Sequence, residues 1–232
     1  MFHISKMQTA DSNETTARLL HRAVITGSEQ LSDEFTLVNF KSDCNNHPLL
    51  PGQELFLYTD NNSKRSYTCC SVDKVQRQAA VLLYGDVNNC AVNTTTGNIL
   101  QFSIEKEKLA YDALATHHFF FGDETSIGLF NAYKETALQS NHEYFGVLEL
   151  KPHNEQVLSR LKLLIDSVPP SASKPAQHAI QWMEEMHPNC WMAWKKASFY
   201  LAGRARLIQP FGEYLLKRGV SPLQIQMAIL GV

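Results

Sequence analysis

The sequence predicts a β + α/β chain: an antiparallel first half, barrel or sandwich, followed by an α/β half built on a parallel sheet. Two observations carry this. Residues 18–104 hold six short runs rich in β-branched and aromatic residues, separated by turn signals about every 10 residues. Beyond residue 116 apolar runs alternate with stretches of helical period, which requires parallel strands joined by helices. The change of period falls near residue 113 and divides the chain into units 1–112 and 113–232.

The elements follow in order. RLLHRAVITG (18–27) and EFTLVNF (34–40) read as a pair of strands across a polar turn, and a loop through CNNHP then ends at Pro51-Gly52. ELFLYT (54–59), the turn DNNSK, residues 65–72, QAAVLLY (78–84) and NILQFSI (98–104) complete the first half. THHFFF (116–121) is a compact apolar strand stopped by Gly122. A helix is expected over 126–140 and a strand over 144–150. Val157, Leu158, Leu161, Leu164 and Ile165 give residues 154–165 one apolar helical face. A Pro/Ser-rich loop spans 167–175, a helix 176–186 and a strand 197–202. The last helix covers 204–218, with a kink expected at Pro210 and a stop at Gly219, and a final strand covers 224–230.

Composition limits the function. A chain of 232 residues with 44% hydrophobic and 19% charged residues can bury a sizeable core without disulfide or metal staples. The formal charge of −2, with both signs interspersed and no strong basic excess in either half, does not suggest nucleic acid as the main partner. No 18-residue apolar run and no basic-then-apolar leader is visible, and the five cysteines (44, 69, 70, 90 and 190) lack CxxC spacing. The expectation is a cytoplasmic protein with free thiols.

Familiar catalytic signatures are absent: no GxGxxG, Walker loop, HExxH or GxSxG. His117 and His118 are adjacent in a strand, so their side chains point to opposite faces and cannot hold one ion together. His187 and Cys190 supply only two ligands, short of a zinc site. Lys195, Lys196, Arg204 and Arg206 gather around the strand 197–202, either as a solvated basic face or as an attractor for an anion.

The informative stretch is LPGQELFLYTDNNSKRSYTCCSV (50–72). A strand places Arg65 and Tyr67 on one face about 7 Å apart. Arg65 offers a rigid donor fork suited to phosphate, Tyr67 a flat amphipathic ring, and Thr68 a hydroxyl and a backbone N–H. This pattern resembles the flavin-binding barrel of the ferredoxin-reductase-like superfamily. VLLYGD (81–86) is similar to the Val-Leu-His-Gly-Asp segment of its siderophore-interacting branch, with Tyr84 in place of His. FGDETS (121–126) is similar to that branch's Gly-Asp-Glu-Thr-Ala, where a strand meets a helix N-terminus; read for itself, the segment is an ordinary helix cap. YLAGRA (200–205) is similar to its Trp-x-Ala-Gly-Glu-Ala, although Arg204 replaces the acid.

The resemblance implies a six-stranded antiparallel barrel that binds FAD and a C-terminal domain that binds NAD(P)H. Carried over position by position, it assigns the flavin to Arg65, Ser66, Tyr67, Thr68, Tyr84, Gly85 and Asp86. It assigns the nicotinamide nucleotide to Gly122, Asp123, Glu124, Thr125, Ser126, Gly203 and Arg204, with no catalytic side chain and no metal. The activity implied is reduction of a ferric siderophore by NAD(P)H through the flavin, in the cytosol, by a monomer or weak dimer. A flavin reductase with another acceptor, or a binding module that keeps only the fold, are the alternatives. VNNCAV follows Gly85-Asp86 where the family has small residues, and AILGV stands where it has Gly-Tyr-Trp.

Overall fold

A computed structural model of the chain describes residues 19–42, 48–58, 64–85 and 92–230. Six strands close into an antiparallel barrel: β1 (Leu20–Ser32), β2 (Phe35–Ser42), β3 (Glu54–Tyr58), β4 (Lys64–Asp73), β5 (Gln78–Tyr84) and β6 (Ile99–Glu105), in the order β1-β2-β5-β4-β3-β6. Closure removes the open edges of an antiparallel sheet. Alternation fills the interior: Ile25, Val38, Phe40, Leu55, Leu57, Val81 and Phe102 are all buried in one cluster.

The second half holds a parallel sheet, order β11-β10-β7-β8-β9, from β7 (His117–Asp123), β8 (Glu143–Glu149), β9 (Asp166–Val168), β10 (Ser198–Gly203) and β11 (Ile225–Ile229). Both faces are covered, so β7 and β10 are continuous apolar runs. Phe120 faces α1 (Ile127–Gln139) and α2 (Gln156–Arg160) on the barrel side. Phe119 and Phe121 face α3 (Gln177–Glu185), α4 (Pro188–Trp194) and α5 (Ala205–Lys217) on the other.

Several expectations change. The helix expected over 154–165 is a 3-10 turn (Pro152–Asn154) and the short α2; Lys162 has φ +52°, which ends the helix, and Leu161, Leu163 and Ile165 reach the core from irregular chain. The loop expected from residue 167 begins instead with the edge strand β9, paired with Val147–Glu149 of β8. Helix α4 was not expected; Pro188 opens it and the His187 ring accepts from the Asn189 N–H. Helix α5 runs unbroken through Pro210.

The two halves are clasped together. Glu34, in the β1–β2 turn, accepts from Lys151 Nζ (2.6 Å) and Asn154 Nδ2 (2.7 Å) and lies 3.2 Å from His153 Nε2. These partners hold its carboxyl well below the usual range, at about 2, against the opposing effect of burial. Asn131 of α1 donates to the Cys70 carbonyl of β4, and Tyr133 donates to the Leu109 carbonyl.

Candidate functional site

Between barrel and sheet lies a cleft of about 730 Å³, within the range of cofactor sites. Its barrel wall is β4. Arg65 and Tyr67 stand opposite Leu57 and Leu55 of β3, so they share one face; Ser66 and Thr68 share the other with Phe56 and Glu54. All four of these β4 residues border the cleft. The Tyr67 ring also packs against the barrel core, so only part of it is open to a ligand. Ser66 donates to the Glu54 carboxylate, which also pairs with Lys108 at 2.6 Å.

The Pro-Gly-Gln turn is built against this wall. Gly52 takes φ +87°, its N–H donates to the Cys69 carbonyl, and the Cys69 N–H donates back to Gln53. An added Cβ at Gly52 would press on the Tyr133 ring at 3.1 Å, so glycine is required both for the turn and for the close approach of α1.

Tyr84 stacks on Phe35 at 4.9 Å and borders the cleft; burial, then the Glu124 charge, raises its pKa. Gly85 donates to the Glu34 carbonyl, and Asp86 lies outside the described residues.

The opposite wall is the turn after β7. Glu124 and Thr125 border the cleft, whereas Gly122, Asp123 and Ser126 are buried beneath it. The Asp123 carboxylate accepts from the Thr125 N–H (2.9 Å), the Thr125 hydroxyl (2.6 Å) and the Arg204 N–H (3.2 Å). The cap reading of this segment is therefore the realised one, and the Thr125 N–H is not available to a phosphate. Two buried carboxylates in the turn also disfavour an anion and suit a neutral group with hydrogen-bond donors. Arg204 offsets them, with its guanidinium 3.7 Å from Asp123 and 4.0 Å from Glu124. An acid here would have placed a third carboxylate in the same spot, so the exchange to Arg204 fits its surroundings.

The basic residues do not form one cluster. Lys195 and Lys196 precede β10 while Arg204 and Arg206 follow it, so a strand of about 20 Å separates the pairs. His118 is fully buried at the other end of the sheet, 2.7 Å from the Tyr111 hydroxyl and 3.1 Å from His142 Nδ1. Burial pushes its pKa down to about 4, and it acts as a neutral bridge pinning the approach to β7. Cys69, Cys70 and Cys190 are free thiols, and burial raises the first to about 12. Cys44 and Cys90 lie outside the described residues.

Sequence reasoning missed Glu149. It ends β8 beside Asp123, is only 4% exposed, and its Oε1 has no hydrogen-bond partner. Burial raises its pKa from 4.5 to about 7, against the pull of His178 and the Ala176 N–H. The folded state therefore holds a proton that the unfolded chain releases, and stability falls as pH rises from about 4.5 to about 7. Glu149→Gln, neutral throughout, is expected to exceed the parent by roughly 1–3 kcal/mol above neutral pH and to match it near pH 4. Urea unfolding at the two pH values measures this.

No family model matches the sequence, and no curated protein matches it. Solved structures do. The ferredoxin reductase in carbazole 1,9a-dioxygenase superposes with a TM-score of 0.71 at 12% identity, over 90% of this chain and 68% of that one. The siderophore-interacting protein SipS from Aeromonas hydrophila gives 0.68 at 12%, over 91% of both chains. The siderophore-interacting protein from Acinetobacter baumannii gives 0.67 at 12%, over 91% of this chain and 89% of that one. The fold is ferredoxin-reductase-like.

Proposed function

We propose that the chain is a flavin-dependent reductase in which FAD lies in the cleft along β4 and NAD(P)H approaches across the turn after β7. The reading divides the chain near residue 113 into a flavin unit and a nucleotide unit. The single observation that carries it is convergence. Arg65, Ser66, Tyr67 and Thr68 from the barrel meet Glu124 and Thr125 from the sheet around one cavity of about 730 Å³. The carbazole-dioxygenase ferredoxin reductase is also known in an FAD apo form, and two siderophore-interacting proteins share the fold. By analogy the acceptor is a ferric siderophore.

The residues present fit the group. Arg65 supplies a forked cation for a phosphate, Tyr67 an aromatic edge, and Thr68 a hydroxyl. When bound, FAD supplies the hydride and single-electron chemistry, and the protein supplies binding and electrostatics. Tyr84, propped by Phe35, borders the cleft where its hydroxyl feels the charges of Glu124 and Arg204. Asp123 fixes the Thr125 hydroxyl and the Arg204 backbone, which sets the shape of the nucleotide side.

The test is the visible spectrum of the purified or FAD-reconstituted protein, followed by anaerobic NADH or NADPH titration. Flavin absorbance that bleaches on titration is expected; a protein that takes up no flavin overturns the reading. Thr125→Phe fills the sheet side of the cleft. It is expected to slow flavin reduction at least tenfold while leaving flavin content unchanged, because a misplaced donor loses its near-attack geometry. Stopped-flow reduction measures it, and an unaltered rate would move the nicotinamide elsewhere.

A further inference from the structure

Behind the turn after β7 is a second cavity, of about 370 Å³, at the carboxyl ends of β7, β8 and β10. It shares Glu124 with the main cleft, so the two lie side by side. The strand order reverses between β7 and β10, and ligands of open α/β sheets lie outside the carboxyl ends at such a point. The Glu149 carboxyl borders this cavity with a buried, unpartnered Oε1. A buried carboxylate oxygen with no donor costs free energy unless something supplies one. The cavity offers space for that donor.

The donor is a hydroxyl rather than a cation or a phosphate. Asp123 and Glu124 already add negative charge around Glu149, which repels any anion brought against it. The cations that border the cavity are mostly committed elsewhere. Arg204 stands over Asp123 and Glu124, and Lys151 is 2.6 Å from Glu34. Arg206, exposed on the rim, is left for a diphosphate. In nucleotide-binding α/β sheets an acid at the end of the second strand binds the adenosine ribose 2′-hydroxyl, and Glu149 ends the second strand of this sheet.

We propose that this cavity takes the adenosine diphosphate part of the dinucleotide, that Glu149 accepts from a ribose hydroxyl, and that the protein thereby selects NADH over NADPH. The inference rests on the reductase reading for the presence of a nucleotide, and it goes beyond that reading by naming which nucleotide and which residue selects it.

The experiment is calorimetric titration of the full chain with NAD+ and with NADP+ at about pH 8, where Glu149 is ionised. The parent is expected to bind NAD+ at least ~10-fold more tightly than NADP+, the loss expected when a buried carboxylate faces an added phosphate instead of a hydroxyl. Glu149→Ala is expected to weaken NAD+ about 10-fold and to bring the two nucleotides close together. Glu149→Gln keeps the volume and an acceptor but removes the charge. It is expected to retain most NAD+ affinity while NADP+ affinity rises, and it serves where the alanine variant does not fold. Equal or tighter binding of NADP+ by the parent overturns the inference and leaves the reductase reading standing. So does an NAD+/NADP+ ratio unmoved by Glu149→Gln. Binding of neither nucleotide, by a protein that holds flavin, overturns both the inference and the nucleotide half of that reading.

Discussion

Arg65→Ala is expected to weaken FAD binding by about 100-fold and Arg65→Lys by about 10-fold, with little change in stability. Arg65 is exposed on β4 opposite Leu57 and borders the cleft. A flavin phosphate there would meet a planar fork of donors, and a charge-assisted bidentate pair contributes roughly 1.5–3 kcal/mol. Lysine keeps the charge and loses the fork, hence the smaller loss. Because the side chain is exposed, neither change should alter stability by more than ~0.5 kcal/mol. Fluorescence titration of FAD into the three proteins decides the matter. Agreement within twofold would mean that Arg65 decorates a surface strand and that the flavin phosphates are held elsewhere.

A large effect on stability is expected at Gly122. A Cβ there would fall far inside contact distance of the Ala202 carbonyl oxygen and of Ser126 Oγ. One neighbour is the backbone of the paired strand β10, and the other belongs to the turn that opens α1, so neither can retreat cheaply. Gly122→Ala should cost at least ~3 kcal/mol and loosen the Asp123 turn. Gly27→Ala is the matched control, since nothing lies within 4 Å of its added Cβ. Chemical denaturation of both is the measurement. A Gly122→Ala protein as stable as its parent would mean that β7 and β10 do not sit as close as described.

Much of the fold was legible because its signals are local. The barrel strands are short β-branched and aromatic runs with turn residues between them, with alternating burial clearest in β1 and β2, and β7 and β10 show the unbroken apolar run of strands covered on both faces. Residues 154–165 misled because Leu161 and Ile165 are apolar for packing against the core cluster, not for helical continuity, and Leu164, counted on the same face, is exposed. Edge strand β9 has only three residues, too few to show a period. At the site, RSYT was readable because a strand fixes which side chains share a face. Glu149 was not, because VLEL (147–150) reads as an ordinary buried strand with one acid. What singles that acid out is a neighbour 26 residues away in sequence, Asp123, brought beside it only by parallel pairing.

The clasp at Glu34 has a mechanical consequence. Separating barrel from sheet would break its bonds to Lys151 and Asn154 and its contact with His153 together, along with the bond from Asn131 to the Cys70 carbonyl. Three of these converge on one carboxylate, so surrendering the first weakens the grip on the rest. Parting of the halves is thus a threshold event rather than gradual breathing. The cleft between them therefore keeps a standing width, and a ligand would enter it without one half closing on the other.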